Sequence, residues 1–131
     1  MSMSVENFHD AELVAATINR ADWKVRLDFK LVSGGRCSVQ LDGVVAFRSE
    51  DLILQNVVSR VLRSGRGDFS RESLEHWITW ATGLSDAQSW LSAQHKGELL
   101  ADCDTGALEL IVFEPSAGAQ IAAVCKHISV A

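Results

Sequence analysis

Residues 23–31 read Trp-Lys-Val-Arg-Leu-Asp-Phe-Lys-Leu, and apolar and charged side chains alternate without exception. A period of two held this long is typical of a β-strand with one face in a core and the other in water. It predicts an antiparallel sheet that is covered on one side only. The charged row is expected to face solvent near an edge of that sheet; it consists of Lys24, Arg26, Asp28 and Lys30.

Two further strands are predicted beside this one. An apolar-rich segment at 10–19 precedes it and ends in a polar turn. Residues 33–36 contain a glycine pair suited to a tight hairpin, and residues 37–42 alternate again. The first 48 residues therefore predict a three-stranded meander, with Asp42–Gly43 as a bulge or second turn.

The apolar period changes in the middle of the chain. Ser49 is a plausible N-cap for a helix whose apolar face would hold Leu52, Ile53, Val57, Val58, Val61 and Leu62. Ser70 marks a second helix start, although residues 71–81 also fit a strand period and both interpretations stay open. Ser85–Asp86 is expected to cap a third helix that carries Trp90 and Leu91.

The chain returns to strands at its end. Residues 107–113 are apolar on both faces apart from Glu109, as in a central strand, and residues 120–130 form the last predicted strand. The predicted architecture is one α+β domain over residues 1–131, in the order βββ, helices, ββ. A mainly antiparallel sheet of about five strands would carry two or three helices on one face.

The composition of the 131-residue chain excludes some partners. Its net charge of −5 argues against broad binding to nucleic acid or anionic lipid. It has no apolar stretch of the roughly 20 residues that a membrane span needs, and no secretory signal pattern. The odd number of cysteines (Cys37, Cys103 and Cys125) is typical of reduced thiols in a cytosolic protein. We expect a cytoplasmic protein with no nucleic-acid or membrane partner.

The histidines and cysteines do not follow the spacing of metal ligands, since CxxC, HxxxH and HxH are all absent. Asp102, Asp104 and Gly106 resemble the start of a calcium loop, but the glycine comes one position early and no glutamate follows at position twelve. A helix-to-strand turn explains them better. The expectation is no metal and no cofactor.

Catalytic arrangements are equally sparse. His9, Asp10 and Glu12 are the one compact group of a histidine and carboxylates, and a polar cluster at a strand edge is the commoner explanation for it. Gln55 and Asn56 are expected to satisfy backbone groups or each other. No residue is therefore assigned a catalytic role.

Arginines and tryptophans supply the other candidates. The arginine cluster of Arg60, Arg63, Arg66 and Arg71 could contact a phosphate or carboxylate, but a solvated helix end is the favoured interpretation. Three indoles within fourteen residues either close the core or line an interface or pocket, and the core is favoured. They belong to Trp77, Trp80 and Trp90.

Several short segments resemble a loose set of small uncharacterised bacterial proteins. They are His-Asp-Ala-Glu-Leu at 9–13, Leu-Asp-Gly-Val at 41–44, Gln-Asn-Val-Val at 55–58, and Pro-Ser-Ala-Gly-Ala at 115–119 with Cys125. Some proteins of that type are similar to immunity proteins of polymorphic toxin systems. The resemblance implies a binding role and no catalytic residue.

The sequence thus favours a non-catalytic binding protein whose partner is another protein or a second copy. The alternative is a small enzyme or ligand-binding module with a pocket between sheet and helices. In that case a histidine should face a carboxylate inside a concave site. The candidate interaction residues are His9, Asp10, Gln55, Asn56, Arg63, Arg66, Trp77, Trp80 and Trp90.

Overall fold

The computed structural model describes residues 8–85 and 88–131. These residues form one antiparallel sheet of eight strands and two α-helices, so the α+β class is confirmed. The elements are β1 Glu12–Asn19, β2 Lys24–Lys30, β3 Arg36–Asp42, β4 Ala46–Glu50, β5 Asn56–Arg63, α1 Arg71–Ala81, α2 Ala93–Thr105, β6 Glu109–Ala117, β7 Gln120–Cys125 and β8 His127–Val130. A 3₁₀ turn, Ser64–Arg66, follows β5.

The sheet folds over at a short junction in its middle. Its strand order is β4-β7-β6-β5-β1-β2-β3-β8, and β5 meets β1 through two residue pairs only, Val57 with Glu12 and Asn56 with Leu13. The main core contains buried side chains from both sides of this junction. The half β4-β7-β6-β5 therefore lies over the half β1-β2-β3-β8. The chain passes between the halves where β3 leads into β4 and where β7 leads into β8.

The core between the two halves is built on three phenylalanines. Phe29 of β2 stacks on Phe113 of β6 at 5.5 Å between ring centroids, and Phe8 meets Phe29 edge-on at 4.8 Å. The apolar row predicted over residues 23–31 is buried as its alternation predicts, except at Trp23. Trp23 is 51% exposed because it lies in the β1–β2 turn with a left-handed φ of 56°, under the guanidinium of Arg20.

Both helices cover the outer face of the β4-β7-β6 part of the sheet. Leu74 and Ile78 of α1 pack in a second core with Leu110 and Val112 of β6. Ser70 caps α1 as predicted, by accepting a hydrogen bond from the Ser73 N–H. Residues 71–81 are thus helical. None of the described helices is long and apolar enough to cross a membrane.

The sheet has more strands than the sequence predicts. The sheet has eight strands and not about five, chiefly because the predicted helix from Ser49 to Leu62 is wrong. Residues 56–63 form β5, which pairs with β6. Two register shifts, at Val57/Val58 and Val58/Arg60, break the period of two and imitate helical spacing.

Other boundaries also differ from the prediction. The helix expected after Ser85 begins after Ser92, whose side chain accepts from the His95 N–H, and Trp90 precedes it. Asp86 lies outside the described residues. The last predicted strand, 120–130, is divided at Lys126 into β7 and β8. The meander is confirmed, but β2 pairs along its length with both β1 and β3 and is not near an edge.

Candidate functional site

The predicted histidine–carboxylate group lies on the surface at the start of β1. His9 Nε2 is 3.5 Å from an Asp10 carboxylate oxygen, and both side chains are mostly exposed. His9 Nδ1 makes a 2.8 Å hydrogen bond with the carbonyl oxygen of Ser59 in β5. Neither residue lines any of the three cavities described below. This placement favours a polar contact between strands over acid–base chemistry.

Each arginine of the predicted cluster contacts a carboxylate. Arg63 forms two hydrogen bonds with Glu109, at 2.7 and 2.8 Å, and this pairing raises the pKa of Arg63. The other pairs are Arg66 with Asp68 at 2.8 Å, Arg60 with Glu114, and Arg71 with Asp104 at 2.6 Å. Since these charges are already paired, the cluster favours a structural role over an anion site.

The three tryptophans do not form one surface feature. Trp77 and Trp80 are half-buried on α1, meet edge-to-face at 5.6 Å, and pack against the core beneath the helices. Trp90 is 55% exposed in the segment before α2. The structure therefore brings Trp77 and Trp80 together as core-covering residues and leaves Trp90 as a surface indole.

A cleft of about 920 Å³ opens between β4 and α1. Inside it the guanidinium of Arg48 lies 4.5 Å from the centre of the Trp80 ring, donates to the Trp80 carbonyl at 3.1 Å, and pairs with Glu50 at 3.1 Å. Asp51 and the exposed His76 also line the cleft. Sequence reasoning missed Arg48 because Trp80, which it contacts through its guanidinium, lies on α1, 32 residues away.

A tripeptide of large aliphatic residues stands in solvent after β4. Leu52, Ile53 and Leu54 are all exposed, and Leu54 is fully so. We call residues 52–54 the apolar loop. The loop is fixed by Asn56, whose amide bonds to both the N–H and the carbonyl of Ile53 and also accepts from the Ala119 N–H. Asn56 thus satisfies backbone groups, as predicted, while Gln55 is exposed.

The apolar loop was hidden from sequence reasoning by the wrong helix. Leu52 and Ile53 were assigned to the buried face of that helix, whereas the structure exposes both. A signal was present in the sequence, since three consecutive aliphatic residues cannot all lie on one helical face. The buried amide four residues after Leu52 is the feature that holds them outside the core.

Most of one edge of β1 has no partner strand among the described residues. Beyond Leu13, β1 pairs with β2 only, and residues 14–19 are all exposed. Among the described residues, no backbone hydrogen bond joins this stretch to any element other than β2. A cavity of about 280 Å³ adjoins it, between the β1–β2 turn and the start of β4, lined by residues that include Ile18, Trp23, Val25, Val45 and Phe47.

A third cavity, of about 380 Å³, lies on the charged outer face of β1, β2 and β3 and is lined in part by Arg26, Asp28 and Ser38. The Ser38 hydroxyl and the Arg26 guanidinium both donate to Asp28, at 2.5 and 2.8 Å. These hydrogen bonds hold the pKa of Asp28 below its ordinary value. The polar groups here satisfy one another along the strands.

The possible metal ligands do not cluster among the described residues, and the three thiols are at least partly buried. Within residues 8–85 and 88–131, no group of three or more His, Cys, Asp or Glu is placed to hold a metal ion. Cys37 and Cys125 are buried and Cys103 is half-buried. Burial raises the pKa of Cys103 to about 11 and that of Cys125 to about 12, so both stay protonated at neutral pH.

No protein-family model, curated protein or solved structure matches the chain.

Proposed function

We propose that this chain is a non-catalytic binding protein that docks a protein partner through the apolar loop. The observation that carries the proposal is the pair of hydrogen bonds between the Asn56 side chain and the Ile53 backbone. These bonds fix a loop whose three aliphatic side chains are exposed to water. Binding residues are commonly found on loops that a rigid scaffold positions. An apolar loop kept in one conformation by a buried amide fits that pattern.

The energetics of the loop favour association. Burying a Leu or Ile side chain that was exposed contributes about 1.5–3 kcal/mol, so the three residues of the loop can supply the centre of an interface. Because Asn56 already fixes the backbone, little conformational entropy remains to be lost on binding. The partner surface expected here is a shallow apolar depression with a polar rim.

An immunity-type role is the specific form of this function that the sequence resemblance suggests. In such a role the chain would bind and neutralise another protein, and no reacting group would be needed. The ion-paired arginines, the exposed His9–Asp10 pair and the protonated thiols agree with a protein that acts by contact. The net charge of −5 would favour a basic partner.

The test compares what two surface variants capture from the native host. Leu54→Asp places a charge in the apolar loop, and Val32→Asp places the same charge on an exposed aliphatic residue in the β2–β3 turn. We expect a specific protein to be retained by the wild type and by the Val32 variant and lost by the Leu54 variant. Capture of the same proteins by all three would overturn the proposal.

The cleft between β4 and α1 supports a second candidate function, the binding of a small ligand. The Arg48 charge is paired with Glu50, and Asp51 adds a further negative charge, so the lining suits an amine better than an acid. Ligand-observed NMR with small primary amines and small carboxylates tests this. Binding of amines that Asp51→Asn weakens would support the candidate, and binding of neither class would exclude it.

A further inference from the structure

The cavity of about 280 Å³ beside the β1–β2 turn has mainly apolar walls. Two aromatic residues, Trp23 and Phe47, line it together with Ile18, Val25 and Val45. Trp23, Ile18 and Val45 stay exposed to water although they lie next to one another around this space. A concave apolar surface with a few charged groups at its rim is the usual composition of a small-molecule site.

The backbone of Trp23 is fixed where it meets the cavity. Its φ of 56° is left-handed, a conformation that is costly for a bulky residue. The Trp23 carbonyl accepts from the Val44 N–H at 2.9 Å, and two hydrogen bonds between Asn19 and Asp22 close the turn before it. Little backbone entropy would therefore be lost when a ligand packs against this residue.

A guanidinium with no acceptor lies at the rim of the cavity. Arg20 is one of the lining residues, and its guanidinium carbon is 3.8 Å from the centre of the Trp23 ring. Within residues 8–85 and 88–131 the Arg20 side chain forms no ion pair, and the carboxylate of Asp22 in the same turn accepts from Asn19 instead. The N–H donors of Arg20 are thus available to a ligand.

The charge at the rim favours an acid over an amine. Lys24 also lines the cavity, and its ammonium is paired with Asp42 at 3.7 Å, so Arg20 carries the positive charge that is not yet paired. A guanidinium presents its N–H groups in a plane that matches the two oxygens of a carboxylate. Charge and walls together are complementary to an acid whose remaining atoms are apolar.

We propose that this cavity binds a small carboxylate with an apolar body, either an aryl acid or a short fatty acid. The carboxylate pairs with Arg20, and the apolar body lies against Trp23 and Phe47. The volume is just below the roughly 300–1,000 Å³ of drug-sized sites, so a ligand of about ten non-hydrogen atoms and a dissociation constant of about 0.1–5 mM are expected.

This cavity is distinct from the surfaces discussed under the proposed function, and the inference does not rest on that function. Phe47 packs against the main core, whereas the next residue, Arg48, contacts Trp80 of α1. The cavity and the cleft therefore lie on opposite faces of β4. The apolar loop begins only after the end of this strand.

The indole N–H signals of the tryptophans test the site directly. The chain has four tryptophans, and Trp23→Phe and Trp80→Phe assign two of the signals in a ¹H–¹⁵N spectrum. Phenylacetate and hexanoate, added to about 20 mM, should shift the Trp23 signal with saturation. Benzylamine, which has the same ring and the opposite charge, and acetate, which has no apolar body, should not. An amine bound in the cleft beside α1 would shift the Trp80 signal instead.

Removal of the Arg20 charge tests which group holds the carboxylate. Arg20→Gln should raise the dissociation constant of phenylacetate about fivefold or more, and Arg20→Lys, which keeps the charge, should raise it less. Lys30→Gln is the matched control, since it removes one positive charge from an exposed residue at the opposite end of β2. It should leave the affinity unchanged. Circular dichroism of each variant checks that the protein is folded.

Four results would each overturn the inference. An equal response of the Trp23 signal to benzylamine would show that charge does not select the ligand, and an equal affinity for acetate would reduce Arg20 to a surface contact for anions. Equal losses with Arg20→Gln and Lys30→Gln would leave only long-range attraction. No response of Trp23 to either acid would exclude a site here. A preference between phenylacetate and hexanoate would identify which of the two acids the cavity fits.

Discussion

The side-chain amide of Asn56 forms hydrogen bonds with the backbone of Ile53 through both its nitrogen and its oxygen. Its Nδ2 donates to the Ile53 carbonyl at 2.6 Å, and its Oδ1 accepts from the Ile53 N–H at 3.0 Å. The same Oδ1 accepts from the Ala119 N–H at 2.9 Å. Asn56 is only 5% exposed, and its hydrogen bonds join the β4–β5 loop to the β6–β7 turn.

Removing this amide should destabilise the whole fold. Asn56→Ala deletes three hydrogen bonds and leaves the buried Ala119 N–H without its acceptor, so the free energy of unfolding should fall by about 2–4 kcal/mol. Urea unfolding followed by tryptophan fluorescence measures the change. Gln55→Ala is the matched control, because that amide is exposed. If Asn56→Ala lowers the free energy of unfolding no more than Gln55→Ala does, the Asn56 hydrogen bonds contribute nothing to stability.

The β6–β7 turn has no room for a side chain at Gly118, next to the Asn56 amide. Gly118 has a φ of 77°, and a Cβ at that position would collide with the Asn56 amide. Gly118→Ala should therefore lower the free energy of unfolding by more than 1 kcal/mol, through backbone strain and displacement of Asn56. Gly67→Ala is the control, since Gly67 has a similar φ of 72° and open space around it. Equal losses would mean that backbone strain alone is responsible.

The Arg63–Glu109 pair should be coupled more strongly than surface pairs. The two side chains are 23% and 18% exposed and form two hydrogen bonds across β5 and β6. In a double-mutant cycle with Arg63→Met and Glu109→Gln, each single change should cost about 1–3 kcal/mol, with a coupling of about 1 kcal/mol or more. The exposed Arg71–Asp104 pair should show a coupling below about 0.5 kcal/mol. Equal couplings would contradict this difference.

Asp28 should contribute to acid unfolding. Hydrogen bonds from Ser38 and Arg26 hold the pKa of this carboxyl below its ordinary value in the folded state. Its stabilising contribution is therefore fully present above the unfolded pKa, near 3.9, and is lost as the pH falls toward the lower folded pKa. Urea unfolding between pH 2 and pH 7 should show a smaller loss at acid pH for Asp28→Asn than for the wild type. An identical pH dependence would rule out this role.

The predictable part of the fold is the part in which local pattern and long-range pairing agree. The alternation of residues 23–31 gives β2, and the glycine pair before Arg36 gives its hairpin with β3. Ser70 gives the start of α1. In each case a single side of the element meets the core, so the pattern of apolar residues reports the structure directly.

Elements whose pattern is interrupted could not be assigned from sequence. The bulges of β5 displace its side chains relative to β6, so its apolar residues fall at intervals of three and four. The helix wrongly predicted over this region also hid the apolar loop. The contact between Asn56 and Ala119 could not be predicted either, because the two residues are 63 positions apart in the sequence. The part of β1 that lacks a second partner strand among the described residues is a property of the strand order and has no local signature.

The thiols should be unreactive until the chain unfolds. Desolvation, reinforced by Asp102 and Asp104, raises the pKa of Cys103 to about 11, and burial raises that of Cys125 to about 12. At pH 8 only about one Cys103 side chain in a thousand would then be a thiolate, the form that attacks a disulfide reagent. Titration with an aromatic disulfide should be slow in native protein and should reach three thiols in urea. A fast reaction of the native protein that Cys103→Ser abolishes would show that the half-buried Cys103 thiol is activated. Nucleophilic chemistry by this thiol on α2 would then have to be considered.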